Sequence, residues 1–284
     1  NIMNRIHNGA SISFQPRIRR GAFFEACWDH GCRNFSVYNR TYISSTFSNP
    51  VDEYWHVINH VSLWPVMGER QIEISGDDAE SFVQYLSCRD ISNCSVNQCK
   101  YALLLNNEGG IICDPILLRL EENKFWISPG DGDVILWLQG IAINSGMDVS
   151  IHEPDVSPLQ ISGPKSGKLI QKLFHGVHDD LGYYKAEQTS LDDIPMVIAR
   201  TGWSGELSYE LYLQDRKLGN KLFELVYEAA EEFNGRVIAP NTIRTIEGGL
   251  LSYGGDFSRE HNPYTIGMGR LVAVSYTHLT LPTN

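Results

Sequence analysis

The sequence predicts an α+β protein in which helices alternate with mostly antiparallel strands, and three observations carry that prediction. A strand, glycine turn and helix pattern at 70–86 returns at 158–174. A run at 100–128 breaks into three β segments separated by glycine- and asparagine-containing turns. Helical spacing of apolar residues is confined to separate segments rather than sustained along the chain. A length of 284 residues suggests about two units. With 42% hydrophobic and 20% charged residues the profile is that of a folded chain. The 34 acidic against 23 basic residues leave a net charge of −11, which argues against a nucleic-acid groove. Positive charge is clustered only at Arg17-Ile18-Arg19-Arg20.

In chain order, residues 1–50 read as a turn-rich, aromatic arm. Tyr54, Val57, Ile58 and Val61 at three- and four-residue spacing predict a helix over 52–63. Arg70 to Gly76 alternates like a strand, Gly76 marks a turn, and Asp77-Asp78 is placed to cap a helix carrying Ala79, Phe82, Val83 and Leu86. Strands are expected over 100–106, 111–120 and 124–128, as an antiparallel meander with turns at Glu108-Gly109-Gly110 and Glu121-Glu122-Asn123. A helix over 133–143 is closed by Ser145-Gly146. The second strand-turn-helix has its strand at 158–163, Pro164 in the first helical turn, and Leu169, Ile170, Leu173 and Phe174 facing inward. "ISGDDAESFVQYL" and "ISGPKSGKLIQKL" resemble an internal duplication. Strands at 196–200 and 207–213 and an amphipathic helix over 216–233 follow. The expected organisation is therefore an arm (1–50), one α+β unit (51–150) and a related second unit (151–274). Residues 275–284 break the preceding pattern and read as a non-native tail.

No run approaches the ~20 apolar residues of a membrane span, and Asn1-Ile2-Met3-Asn4-Arg5 lacks a signal-peptide core, so a cytoplasmic protein without a membrane partner is expected. The six cysteines (Cys27, Cys32, Cys88, Cys94, Cys99, Cys113) form no Cys-x-x-Cys and are expected as reduced thiols. No His-Glu-x-x-His or zinc-like spacing occurs, so no metal is expected.

Polar groups beside glycine turns are the candidate chemistry: Tyr101, Asp114, Ser128, Trp203, Glu210, Tyr212 and Glu247. Taken singly, Asp114 before Pro115 reads as a turn carboxylate, Trp203 as a loop aromatic covering the core, and Glu210 as a solvent-facing strand residue. Phosphate-binding glycine loops and a Gly-x-Ser-x-Gly elbow are missing, so nucleotide and serine-hydrolase chemistry has no support. Cys113 sits beside a carboxylate that raises a thiol's pKa, which favours a structural thiol over a nucleophile.

Jointly the motifs are specific. Tyr101 with Asn107-Glu108-Gly109-Gly110-Ile111-Ile112-Cys113-Asp114, then Ile161-Ser162-Gly163-Pro164-Lys165, then Ala199-Arg200-Thr201-Gly202-Trp203-Ser204-Gly205 leading to Tyr209-Glu210-Leu211-Tyr212, resemble the tetrahydrofolate-dependent aminomethyltransferase (glycine-cleavage T-protein) superfamily. Within it, Glu69-Arg70-Gln71, Asp114-Pro115, the stretch from Glu121 to Ser128, Glu153-Pro154-Asp155-Val156, Pro240-Asn241 and Leu250-Leu251-Ser252-Tyr253-Gly254 resemble the dimethylsulfoniopropionate demethylase branch. The likeness covers about residues 11–274.

The resemblance implies a folate-binding fold and tetrahydrofolate as methyl acceptor. It makes Asp114 the catalytic carboxylate, with Tyr101, Asp114, Ser128, Trp203, Glu210 and Tyr212 around the folate. It implies that Trp203 and Tyr212 lie beside the substrate, a small-molecule methyl donor exemplified by dimethylsulfoniopropionate. Aromatic faces suit both a flat pterin and a sulfonium. It implies no metal, leaves a homodimer open, and places a further segment and a C-terminal β-domain beyond Val274, so the chain reads as C-terminally truncated. Pro65 and Thr245 stand where relatives usually carry Asp and often carry Arg, and Cys113 replaces Asn or Asp; these departures bear on substrate identity. The alternatives are glycine-cleavage aminomethyltransfer, against which Asn241 argues, demethylation of another methylated compound, and a non-catalytic folate-binding role in iron–sulfur assembly.

Overall fold

The computed structural model describes residues 15–273, so the expected tail at 275–284 and the first part of the arm lie outside the described residues. The rest of the arm is more ordered than its composition suggested. It holds helix α1 (Phe24–Asp29) and a hairpin of β1 (Asn34–Tyr38) and β2 (Thr41–Thr46). There follow α2 (Pro50–Asn59), β3 (Val61–Pro65), β4 (Ile72–Ser75), α3 (Ala79–Leu86), β5 (Gln98–Tyr101), β6 (Leu104–Leu105), β7 (Ile111–Cys113), β8 (Ile116–Glu121), β9 (Lys124–Ser128), α4 (Val134–Ser145), β10 (Ser150–His152) and β11 (Val156–Ser162). The chain continues with α5 (Ser166–Leu173), β12 (Ala186–Leu191), β13 (Ile194–Ala199), β14 (Ser208–Gln214), α6 (Gly219–Glu231), β15 (Gly235–Val237) and α7 (Thr242–Glu247).

Two larger sheets organise these elements, one ordered β10-β4-β9-β8-β5 and one ordered β12-β13-β14-β11-β3-β15. Every pairing in them is antiparallel except β15 with β3. The order β10-β4-β9-β8-β5 maps onto β3-β11-β14-β13-β12, the topological form of the repeated sequence motif. The repeat is also visible at its glycines. Gly76 has φ +133° and Gly163 φ +121°, and an added Cβ at either runs into a backbone carbonyl, Asp148 or His60 respectively. A side chain fits neither place.

Alternation sends one face of each sheet to helices and the other face to the opposite sheet. Leu63, Leu159, Ile161, Leu211 and Leu213 pack with residues of α1, α5 and α6. Ile72, Ile74, Leu117, Phe125 and Ile127 pack with α3 and α4. Cys99, Leu118, Leu120 and Trp126 meet Val197, Ala199 and Tyr212 between the sheets. Burying each large apolar side chain contributes about 1.5–3 kcal/mol, so these three layers fix the sheets against one another.

Several expected elements are redrawn. The helix expected over 52–63 ends at Asn59, and 61–65 is a central strand whose continuous apolar character mimicked the helix's continuation. Strand β3 therefore joins β11 and β15 although it precedes the first repeat in sequence. The expected strand over 111–120 is broken at Asp114-Pro115, because proline lacks the N–H a ladder needs, and that over 100–106 is broken between β5 and β6. Asp78 makes no side-chain cap; its Oδ2 accepts from Asp148 N at 2.8 Å instead. Pro164 precedes the helical turn, since α5 begins at Ser166. Residues Arg216–Leu218 form a 3₁₀ turn before α6. The expected glycine stop is present: Gly146 caps α4 at φ +72°.

Candidate active site

The break between β7 and β8 turns the Asp114 carboxyl out of the ladder, and the end of β5 brings Tyr101 to it. Tyr101 donates its hydroxyl to Asp114 Oδ2 at 3.1 Å. Burial pushes the Asp114 carboxyl up to about 7, opposed by the Tyr101 hydrogen bond. Both residues are half-buried. The loop at 129–132 closes over them, with Asp114 Oδ1 and the Tyr38 hydroxyl against Gly130. The arm's hairpin tip braces that loop, since Asn39 Nδ2 donates to Gly130 O at 2.9 Å and Gly132 N donates to Asn39 Oδ1 at 2.7 Å.

Across the inter-sheet space, β14 contributes a second carboxylate. Glu210 follows Tyr209 and precedes Leu211, both in the apolar core, so alternation points it to the other face. Its Oε2 accepts from the Tyr212 hydroxyl at 3.0 Å and from Thr201 Oγ1. Burial raises the Glu210 carboxyl and these two hydroxyls lower it. Tyr212 is fully buried, with its ring 6.2 Å from Trp126, so its hydroxyl stands behind the carboxylate. Gln160 pairs with Glu210 across the ladder and accepts from Trp203 N at 3.0 Å, which ties the backbone of the half-buried Trp203 to that ladder pair. Trp203 Nε1 donates to Leu251 O at 3.4 Å.

Ser128, at the end of β9, brings a third carboxylate. Gln71 Nε2 donates to Ser128 Oγ at 2.9 Å, and Ser128 Oγ donates to Glu69 Oε2 at 2.9 Å. Burial raises the Glu69 carboxyl, and the Glu210 and Asp114 charges raise it further. Six of the seven residues singled out in the sequence, all but Glu247, thus fall into one connected region. The arrangement can hold a flat donor-rich ring by its edge and accept a proton close to neutral pH.

Residues 8–276 match the model of the GCVT N-terminal domain. The chain belongs to that family. It is 35% identical over 92% of its length to a dimethylsulfoniopropionate demethylase of Ruegeria pomeroyi, and covers 72% of that protein. It is 28% identical over 90% of its length to a trimethylamine-oxide aldolase of the same organism, of which it covers 34%. In fold it is similar to the glycine-cleavage aminomethyltransferase T of Bartonella henselae, with TM-score 0.82, 20% identity, and coverage of 92% of this chain and 71% of that one. The expected superfamily and fold class are borne out.

Within this GCVT domain, sequence reasoning passed over Glu69, Gln71 and Gln160 as site residues. Gln160 was open to discovery, because Leu159 and Ile161 commit the alternate face to the core. Glu69 and Gln71 carried no local signal beyond the words quoted for the resemblance. Other candidates lie apart. Glu247 is exposed on α7, accepting from Tyr54 at 3.0 Å and pairing with Arg244. Asn241 is committed to structure: it caps α7 through Arg244 N and donates to Pro50 O. Cys113 is fully buried, and burial with the Asp114 charge raises its thiol, as a structural cysteine requires. Among the described residues no cluster is placed to hold a metal, and no helix is long and apolar enough to cross a membrane.

Proposed function

We propose that this chain carries the site of a tetrahydrofolate-dependent demethylase that moves one methyl group from dimethylsulfoniopropionate to N5 of tetrahydrofolate, giving methylthiopropanoate and 5-methyltetrahydrofolate. The carrying observation is the set of hydroxyl-held carboxylates between two sheets, in a chain 35% identical to a demethylase of that substrate.

Donor chemistry favours this fit. A reduced pterin presents adjacent N–H donors, and Glu210, with Oε2 committed to Thr201 and Tyr212, offers its second oxygen to them. Trp64 Nε1 and Ser62 Oγ are buried without partners on the same sheet face. When bound there, the pterin supplies the nitrogen lone pair that takes the methyl group. Trp203 covers the cationic sulfur by cation–π attraction, worth about 0.5–2 kcal/mol. A sulfonium methyl is already activated, so positioning carries most of the catalysis, about 7–11 kcal/mol when the reacting atoms are held near 3–3.5 Å. Asp114, fixed by Tyr101, accepts the proton that N5 loses; the departing sulfur keeps the electron pair of the broken bond. Six buried free cysteines suit a reducing compartment, and we place the reaction in the cytoplasm.

Calorimetric titration with tetrahydrofolate tests the site. Binding that Glu210→Ala weakens by about tenfold or more is expected for a charge-assisted contact. Equal affinity in the variant would overturn the placement.

A further inference from the structure

Hydroxyl groups hold the three carboxylates of the site: Tyr101 on Asp114, Thr201 and Tyr212 on Glu210, and Ser128 on Glu69. Among the described residues none of the three makes an ion pair with an arginine or lysine. Nearby arginines are committed elsewhere, Arg70 to Glu153 at 2.5 Å and Arg244 to Glu206 at 2.7 Å. Like charges in a poorly solvated space repel, and a counter-charge that the chain withholds must come from a proton or from a ligand.

Glu69 is the least compensated of the three. It accepts one hydroxyl, on Oε2, and its Oε1 has no hydrogen bond among the described residues. It is nonetheless fixed in place. Ser128 is 5% exposed and Gln71 1% exposed, and the Gln71 to Ser128 to Glu69 relay runs one way, so buried groups rather than solvent set the carboxylate's direction. Gln71 Oε1 is itself buried without a partner, an acceptor left unmet beside the acids. A structural carboxylate of this chain looks different: Glu53 has both oxygens committed to backbone N–H groups, of Phe47, Ser48 and Ala239.

We propose that Glu69 is the specificity-determining residue that makes the site select a positively charged methyl donor over an uncharged one of the same shape. This rests on the methyl-transfer reading above and extends it to the class of donor. Sulfonium and quaternary ammonium centres have no N–H or S–H to donate, so they are recognised by undirected charge and by aromatic faces. An anchored carboxylate with a free oxygen supplies the first and Trp203 the second.

The test uses two ligands that differ by one charge, 3-(trimethylammonio)propanoate and 4,4-dimethylpentanoate, titrated calorimetrically into the chain with and without tetrahydrofolate. The unaltered chain is expected to bind the ammonium compound about 10- to 100-fold more tightly. Glu69→Gln keeps an acceptor for Ser128 and removes the charge; it should bring the ratio to within about threefold. A ratio unchanged in Glu69→Gln, or near one in the unaltered chain, overturns the proposal. Should Glu69→Gln fail to fold, Ser128→Ala, which releases the anchor, must lower the ratio, and an unchanged ratio there is equally fatal. Failure of the unaltered chain to bind tetrahydrofolate overturns the methyl-transfer reading instead, a distinct outcome.

Discussion

The Tyr101 hydroxyl donates to Asp114 Oδ2 at 3.1 Å, and this bond restrains a carboxyl that burial drives up to about 7. Removing the donor in Tyr101→Phe lets burial act unopposed, so the Asp114 pKa rises further. If the ionised carboxylate is the active form, the acidic limb of the kcat/KM profile moves to higher pH in Tyr101→Phe. Asp114→Asn should lower kcat by about 10²-fold or more, as expected for a lost proton acceptor. The same shift has a stability consequence of fixed sign. A carboxyl raised from 3.8 to about 7 gives the fold stability that is complete below the lower value and lost as pH climbs through the upper one. Thermal unfolding of Asp114→Asn across that window should lack this decline and show a higher Tm than the unaltered chain above neutral pH. A variant that melts lower at alkaline pH would contradict the burial argument.

Trp203 is held by backbone and by Gln160 rather than by packing alone. Truncation in Trp203→Ala should raise the KM for a sulfonium donor by about 3- to 30-fold, the range of a cation–π contact. Tetrahydrofolate affinity should change less. Steady-state kinetics with each reactant varied in turn separates the two, and an equal loss in both would place Trp203 on the folate instead.

Glu53 is 3% exposed and joins three segments: its Oε1 accepts from Phe47 N at 2.8 Å and Ser48 N at 2.6 Å, and its Oε2 accepts from Ala239 N at 3.1 Å. Replacing one oxygen by an amide in Glu53→Gln sets donor against donor. Unfolding in urea should show a loss of about 2–3 kcal/mol, the cost of a buried charge-assisted bond and its unsatisfied partner.

Gly76 and Gly163 occupy equivalent positions in the repeat, and both have backbone that an L side chain rarely adopts. Alanine at either position should cost at least about 1–3 kcal/mol, since strain and collision with a carbonyl act together. The two losses should be similar if the repeats are packed alike. Denaturation midpoints of the two single variants give the comparison.

Much of this architecture is written in local patterns. The glycine turns at 76 and 163 are readable because each is decided within a few residues of chain, whereas Glu210, which read singly is a solvent-facing strand residue, is 4% exposed because the opposite sheet covers that face of its strand. What escaped is non-local. Val61–Pro65 carries no polar alternation because both its faces are covered, so nothing in the segment separates it from the helix before it. Glu69 follows a glycine and precedes an arginine, the ordinary setting of a solvated charge. Only the pairing of β4 with β9, which places Ser128 beside Gln71, anchors it in the site. Asn241 shows the converse: expected from the resemblance to argue against glycine-cleavage chemistry, it serves here as a helix cap.

Methyl transfer itself is checked by supplying dimethylsulfoniopropionate labelled with ¹³C in its S-methyl groups, together with tetrahydrofolate, and following the label by mass spectrometry. Transfer by this chain places one labelled methyl on 5-methyltetrahydrofolate and leaves methylthiopropanoate in equal amount, with neither formed when tetrahydrofolate is omitted. Methylthiopropanoate appearing without folate, or bound folate that stays unlabelled, would contradict it.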